Sequence, residues 1–135
     1  MKARMNTATV SPGLYQAVLA LDTAVRQSGI DPMHLHLIKL RASQINGCAY
    51  CVDMHVKHAL ADGMDPQKLH LVVTWRESPF FDEKERAILA WTESLTLIAQ
   101  AGAPDDVYQQ LKAQFSDEQI AQFTIAIGTI NIWNR

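Results

Sequence analysis

The chain has 135 residues, the size of one domain, and 48% of them are hydrophobic, enough for a real core at this length. Its formal net charge of -2 shows no basic excess, which argues against nucleic acid or an acidic membrane surface as a partner. Charged residues make up only 19%, low for a small monomer, so a homo-oligomer is expected. Met1 to Val10 carries two basic residues but no apolar core of an export signal, and no apolar run approaches the ~20 residues of a membrane span. A cytoplasmic setting without membrane contact is the expectation.

Four of the five prolines stand where helices begin. Ser11-Pro12, Asp31-Pro32 and Asp65-Pro66 each pair an N-cap residue with proline at the first helical position. Pro104 is followed by Asp105 and Asp106, negative charge suited to a first turn. Asp82 with Glu85, and Ser116 with Gln119, have capping-box spacing, while Gly29, Gly63 and Gly102 fall where helices should stop. This punctuation divides the chain into about seven helices.

The apolar periods agree. Leu14, Ala17, Val18, Leu21, Ala24 and Val25 form a first stripe, expected to face the core. Leu35, Ile38, Ala42 and Ile45 mark a helix over about Asp31 to Ile45, and Ile88, Trp91, Leu95 and Ile98 mark another. Phe123 to Ile132 is isoleucine-rich enough for a strand. The 3-4-3 spacing of Ile120, Phe123, Ile127 and Ile130 favours a helix, apolar and so buried on several sides. Arg76 to Phe81 reads as a loop with Phe80 and Phe81 exposed. The expected fold is a single all-α domain spanning 1–135, its motif core about 30–100.

The chemistry concentrates in Gly47-Cys48-Ala49-Tyr50-Cys51-Val52-Asp53-Met54-His55, which holds both cysteines of the chain. In a helix over 48–62, positions i, i+3 and i+7 share one face, so two sulfurs and an imidazole line up. A cytosolic CxxC is more often redox-active or metal-binding than a structural staple. Intramolecular zinc would need His55 and His58 as well, and Cys48 to His58 spans roughly 15 Å of helix, too far for one ion. No metal-ligand set and no phosphate-cradling glycine loop is present, so no cofactor is expected. Asn46 or Gly47 is expected to cap this helix, with Cys48 in its first turn, where the dipole lowers a thiol pKa. His55, four residues after Cys51, is placed to exchange a proton with it. His36, twelve residues before Cys48, faces the dithiol if the intervening turn folds one helix back on the other. A histidine beside a core stripe is otherwise usually a surface or satisfied residue. His34, His58 and His70 are weaker candidates. Lys39, Arg41 and Lys57 are expected to be solvated, with Arg41 alternatively raising the potential near the cysteines.

The run from Leu37 to His55 closely resembles the core of the alkylhydroperoxidase D-like branch of the carboxymuconolactone decarboxylase family. The likeness continues in Trp75 to Phe81, Ala90 to Glu93 and Thr129 to Arg135, and covers roughly residues 30 to 135. It implies an all-α fold assembled as trimers or hexamers, and a thiol-dependent peroxidase or disulfide reductase. Hydroperoxide would be the substrate. A dihydrolipoyl or thioredoxin-like dithiol would be the reductant, with a peroxiredoxin as a further partner. The pattern gives peroxide attack to Cys51, resolution to Cys48 and proton relay to His55. The helix-dipole argument instead favours Cys48 as the more acidic thiol. One departure stands out: His36 occupies the place of the glutamate that serves as ultimate base, so no fixed negative charge there holds His55 protonated. The chain ends at Arg135 inside a helical pattern, where relatives often run further. Two other functions compete: a lyase like the decarboxylase that names the wider family, whose chemistry needs no dithiol, and a non-catalytic redox sensor.

Overall fold

The computed structural model describes residues 4–135, with the backbone alone at Ala101. Met1 to Ala3, part of the segment read as lacking an export signal, lie outside the described residues. The chain forms one all-helical domain. Among the described residues there are nine α-helices and one 3-10 turn: α1 Thr7–Val10, α2 Pro12–Arg26, α3 Pro32–Ile45, α4 Ala49–Ala61, α5 Pro66–Leu71 with the 3-10 turn Val72–Thr74, α6 Glu83–Thr96, α7 Ile98–Ala101, α8 Asp105–Lys112 and α9 Asp117–Asn134. The seven longer helices are those the punctuation divides; α1 and α7, of four residues each, were not expected, although Asn6 caps α1 by accepting the Ala8 and Thr9 N–H groups.

The helix starts follow from their caps. Asp31 and Asp65 accept N–H bonds from Met33 and Gln67 at 2.8 Å with proline at the first helical position, and both expected capping boxes form. No helix among the described residues is long and apolar enough to cross a membrane.

The third helix, α3, is the axis of the molecule. Leu35, Ile38 and Ala42 face one core with α6, α8 and α9, while Leu37 and Leu40 face a second core with α4, α5 and α6. The second face lies in Leu37 and Leu40 of the sequence and marks a helix buried on both sides. Truncating either leucine to alanine should cost about 2–5 kcal/mol.

Four burial expectations fail. Leu14 and Leu21 of α2 are exposed, and so are Ala17 and Ala24; α2 instead turns Tyr15, Leu19, Asp22 and Val25 inward. The inward face is offset by about one residue, roughly 100°, from the apolar stripe, and it carries Asp22, which accepts from Lys39 of α3 at 3.0 Å. On α9, Ile125 and Ile132 are exposed. Phe80 is exposed as expected, but Phe81 is buried in the second core, with Lys68 Nζ 5.5 Å from its ring centre. Ile98 drops out of its stripe because α6 ends at Thr96.

Candidate active site

The dithiol sits where α3 hands over to α4. Gly47 has φ +64, a backbone conformation that side chains disfavour, and it lets the chain reverse directly after α3. Gly47 N–H bonds to Gln44 O at 3.2 Å and Cys48 N–H to Ser43 O at 3.0 Å, the two bonds of a Schellman closure. Cys48 is therefore both the last residue of one motif and the first of the next. It is itself the N-cap of α4, with extended backbone, rather than a first-turn residue capped by Asn46 or Gly47. Its Sγ accepts the Cys51 N–H at 3.3 Å. Cys48 and Cys51 are joined as a disulfide with their Cα atoms 5.3 Å apart. An N-cap residue is not yet committed to helical geometry, so it can lean toward i+3 without distorting the helix.

The far end of α9 fastens this turn. Asn46 Nδ2 donates to Asn131 Oδ1 at 3.0 Å and to Asn134 Oδ1 at 2.9 Å, and Asn134 Nδ2 donates to Ser43 Oγ at 3.0 Å. Ser43 Oγ in turn donates to Lys39 O at 2.7 Å.

Cys51 and His55 are buried, and with His36 they line one cavity of about 660 Å³ walled by α2, α3, α4 and α9. The structure thus brings together three of the four candidate site residues in one wall; the fourth, Cys48, lies half-buried behind Cys51 through the disulfide. His55 Nε2 is buried without a hydrogen-bond partner. Burial pushes the His55 imidazole down from 6.5 to about 4, helped by the positive charge of Lys39 and then by His58 and His36, against the opposing pull of Asp22. In the disulfide state it is a neutral imidazole near pH 7, able to accept a proton.

His36 does not reach for His55. Its Nε2 lies 2.7 Å from Asp62 Oδ2, so the carboxylate that enters this wall comes from the C-cap of α4 and falls on the outer histidine. His34, by contrast, packs edge-on to Phe115 and Phe123, and His58 is exposed with its ring 6.3 Å from that of His55.

Lys39 and Arg41 are not solvated. Lys39 is 9% exposed, lines the cavity and donates to Asp22 Oδ1 at 3.0 Å. Arg41 turns away from the cysteines and donates its Nε to Glu93 Oε1 at 2.7 Å. Trp75 Nε1 reaches the same oxygen at 2.9 Å and Arg76 holds the other. Burial alone would raise the Glu93 carboxyl, but these three donors outweigh it and hold the group below its usual range. Lys57 is solvated as expected, paired with Asp53 on the surface. The sequence carries no signal joining Asp22 to Lys39 or Asn46 to Asn134, because each pair meets only after folding.

A family model, the carboxymuconolactone decarboxylase family, matches residues 12–94. The Bacillus subtilis protein YdfG is 33% identical over all 135 residues, covering 92% of its own length. A solved Agrobacterium tumefaciens structure, named for antioxidant defence protein AhpD as a suggested role, superposes with a TM-score of 0.97 at 54% identity, over 99% of this chain and 92% of that one. The debrominase Bmp8 shares the fold with a TM-score of 0.85 at 22% identity, over 96% of this chain and 69% of its own.

Proposed function

The chain belongs to the carboxymuconolactone decarboxylase family, and from that membership we propose that it is a thiol-dependent peroxidase or disulfide reductase of the alkylhydroperoxidase D-like kind. The observation that carries the proposal is the Cys48–Cys51 disulfide at the start of α4, with Cys51 and an unpartnered His55 in the wall of one cavity. A disulfide so placed is the oxidised half of a two-electron cycle.

In the reduced protein, His55 takes the proton of the Cys51 thiol, and the thiolate attacks the terminal oxygen of a hydroperoxide ROOH. The O–O bond breaks, the imidazolium returns its proton to the departing RO⁻, and Cys51 becomes a sulfenic acid. Cys48 then attacks the Cys51 sulfur and water leaves. Dithiol and ROOH have become disulfide, ROH and water. An external dithiol, dihydrolipoyl or thioredoxin-like, restores the two thiols by exchange, with a peroxiredoxin as a further partner. The position of Cys51 in the cavity supports it as the attacking sulfur. The N–H bond that Cys48 Sγ accepts supports Cys48 as the resolving sulfur.

Exposed Leu14 and Leu21 on α2, and Ile125 and Ile132 on α9, support a homo-oligomer as the working form; a trimer or a hexamer is what the family resemblance implies.

The test is free-thiol counting by mass spectrometry after one equivalent of an organic hydroperoxide, on the reduced wild type, Cys48→Ser and Cys51→Ser. Loss of both thiols in the wild type, with sulfenic acid trapped only in Cys48→Ser, is expected. Unreacted thiols in all three would remove the peroxidase reading. Reaction without turnover under any dithiol donor would leave a redox sensor.

A further inference from the structure

The cavity beside Cys51 combines an apolar lining with one buried cation. Leu19, Ile30, Leu35 and Ile130 line it, as do Tyr15 and Trp133, which meet edge to face at 5.4 Å. The cation is Lys39, whose ammonium has three donors. One of these goes to Asp22 Oδ1 at 3.0 Å, and among the described residues the Lys39 side chain makes no other hydrogen bond. A buried ammonium with donors to spare is costly unless something else fills them. Arg26 binds the second oxygen of the same Asp22 at 3.2 Å. Arg26 is 58% exposed, however, so water screens its charge, and the buried charges at this wall are those of Lys39 and Asp22. The remaining carboxylate of the wall, Asp62, is 54% exposed and already paired with His36, so water screens it. His55 Nε2, unpartnered and buried, adds a second polar atom awaiting a partner.

We propose that this cavity binds an organic monocarboxylate with a compact apolar body, its carboxylate on Lys39 Nζ, its body against Tyr15, Trp133 and Ile130, and its reactive group toward Cys51. A volume of about 660 Å³ suits a molecule of roughly ten to twenty heavy atoms, within the range of ordinary ligand pockets. The spare donors of one buried ammonium suit a monoanion; a phosphate dianion would bring a second charge with no buried cation to meet it. The proposal deepens the peroxide-reducing reading by naming the class of hydroperoxide, one that carries a carboxylate, and it rests on that reading for the chemistry alone.

Binding is measured apart from turnover. The full chain in its disulfide form is titrated calorimetrically with 4-phenylbutyrate and with its neutral amide, in wild type, Lys39→Met and the double variant Lys39→Met/Asp22→Asn, which removes both buried charges together. The acid should bind the wild type about tenfold tighter than the amide, the worth of one charge-assisted hydrogen bond. Both variants should bind acid and amide alike. Equal affinities in the wild type, or no binding of either, overturn the proposal, and that comparison decides even if both variants fail to fold. A preference for the acid that survives in a folded double variant also overturns it, as does displacement of the acid by equimolar inorganic phosphate. Carboxylate binding without hydroperoxide consumption would keep the site and remove the peroxidase reading; consumption without carboxylate preference would do the reverse.

Discussion

Two buried polar clusters flank α3, and they differ in one respect. On the side of α6, Glu93 is held by Arg41, Trp75 and Arg76, so each carboxylate oxygen has a donor and the indole N–H has an acceptor. On the cavity side, among the described residues, the Lys39 side chain makes a single bond, to Asp22, and His55 Nε2 makes none. Polar groups are buried at a cost that hydrogen bonds offset. The first cluster offsets its cost internally and ties the Trp75 turn to α3 and α6. The second leaves donors and an acceptor unmet beside a cavity and a disulfide. The satisfied network acts as a clamp; the other faces space with bonding capacity unmet, which is where the proposed ligand would bind.

The contrast is sharpest if each cluster is broken in turn. Cys51→Ser should abolish hydroperoxide turnover, a loss of more than a thousandfold, while thermal unfolding shows an intact cooperative fold. Glu93→Ala should do the opposite: about 3–5 kcal/mol of stability lost in urea titration, since Arg41 keeps its buried charge without a partner, with the thiols still reacting in the fraction that is folded. If Glu93→Ala costs under 1 kcal/mol, the clamp reading fails.

The pH dependence probes the cavity side. His55 binds its proton at about 4 in the folded protein and at 6.5 in the unfolded chain. Between those values the unfolded state holds more protons, so stability falls as pH drops from 6.5 toward 4. The full span is worth up to about 3 kcal/mol. Urea midpoints measured from pH 7 to pH 5, above most carboxylate titration, should decline in the oxidised wild type and stay flat in His55→Gln. A decline of equal slope in that variant would assign the effect elsewhere.

A smaller effect is expected at the turn. Asn46→Ala removes two side-chain bonds to α9 and should cost about 1–2 kcal/mol, and it should speed reduction of the disulfide by dithiothreitol as the Cys48 cap loosens. The exposed pair Asp53–Lys57 sets the floor: Lys57→Ala should change the unfolding free energy by less than about 0.5 kcal/mol and leave thiol reactivity alone.

The seven longer helices, most of their starts and the closeness of Cys48 to Cys51 were legible in the chain itself. Proline after aspartate, the two capping boxes and the Cys48, Cys51, His55 spacing act through bonds within four residues or one helical turn, so local sequence determines them. The meaning of the charged residues was not legible. Lys39 and Arg41 are two apart on one helix and look alike in sequence, yet one enters the cavity and the other the clamp. Their partners, Asp22 and Glu93, lie 17 residues back and 52 residues ahead. The α2 stripe misleads as well: the inward face holds Tyr15, Leu19 and Val25 together with Asp22, whose partner Lys39 lies on another helix. His36 shares the cavity with His55 as its spacing suggests, but only the folded chain hands it Asp62. Periodicity is a property of neighbours along the chain, whereas the burial of a charge is settled by a partner that distant folding brings within 3 Å.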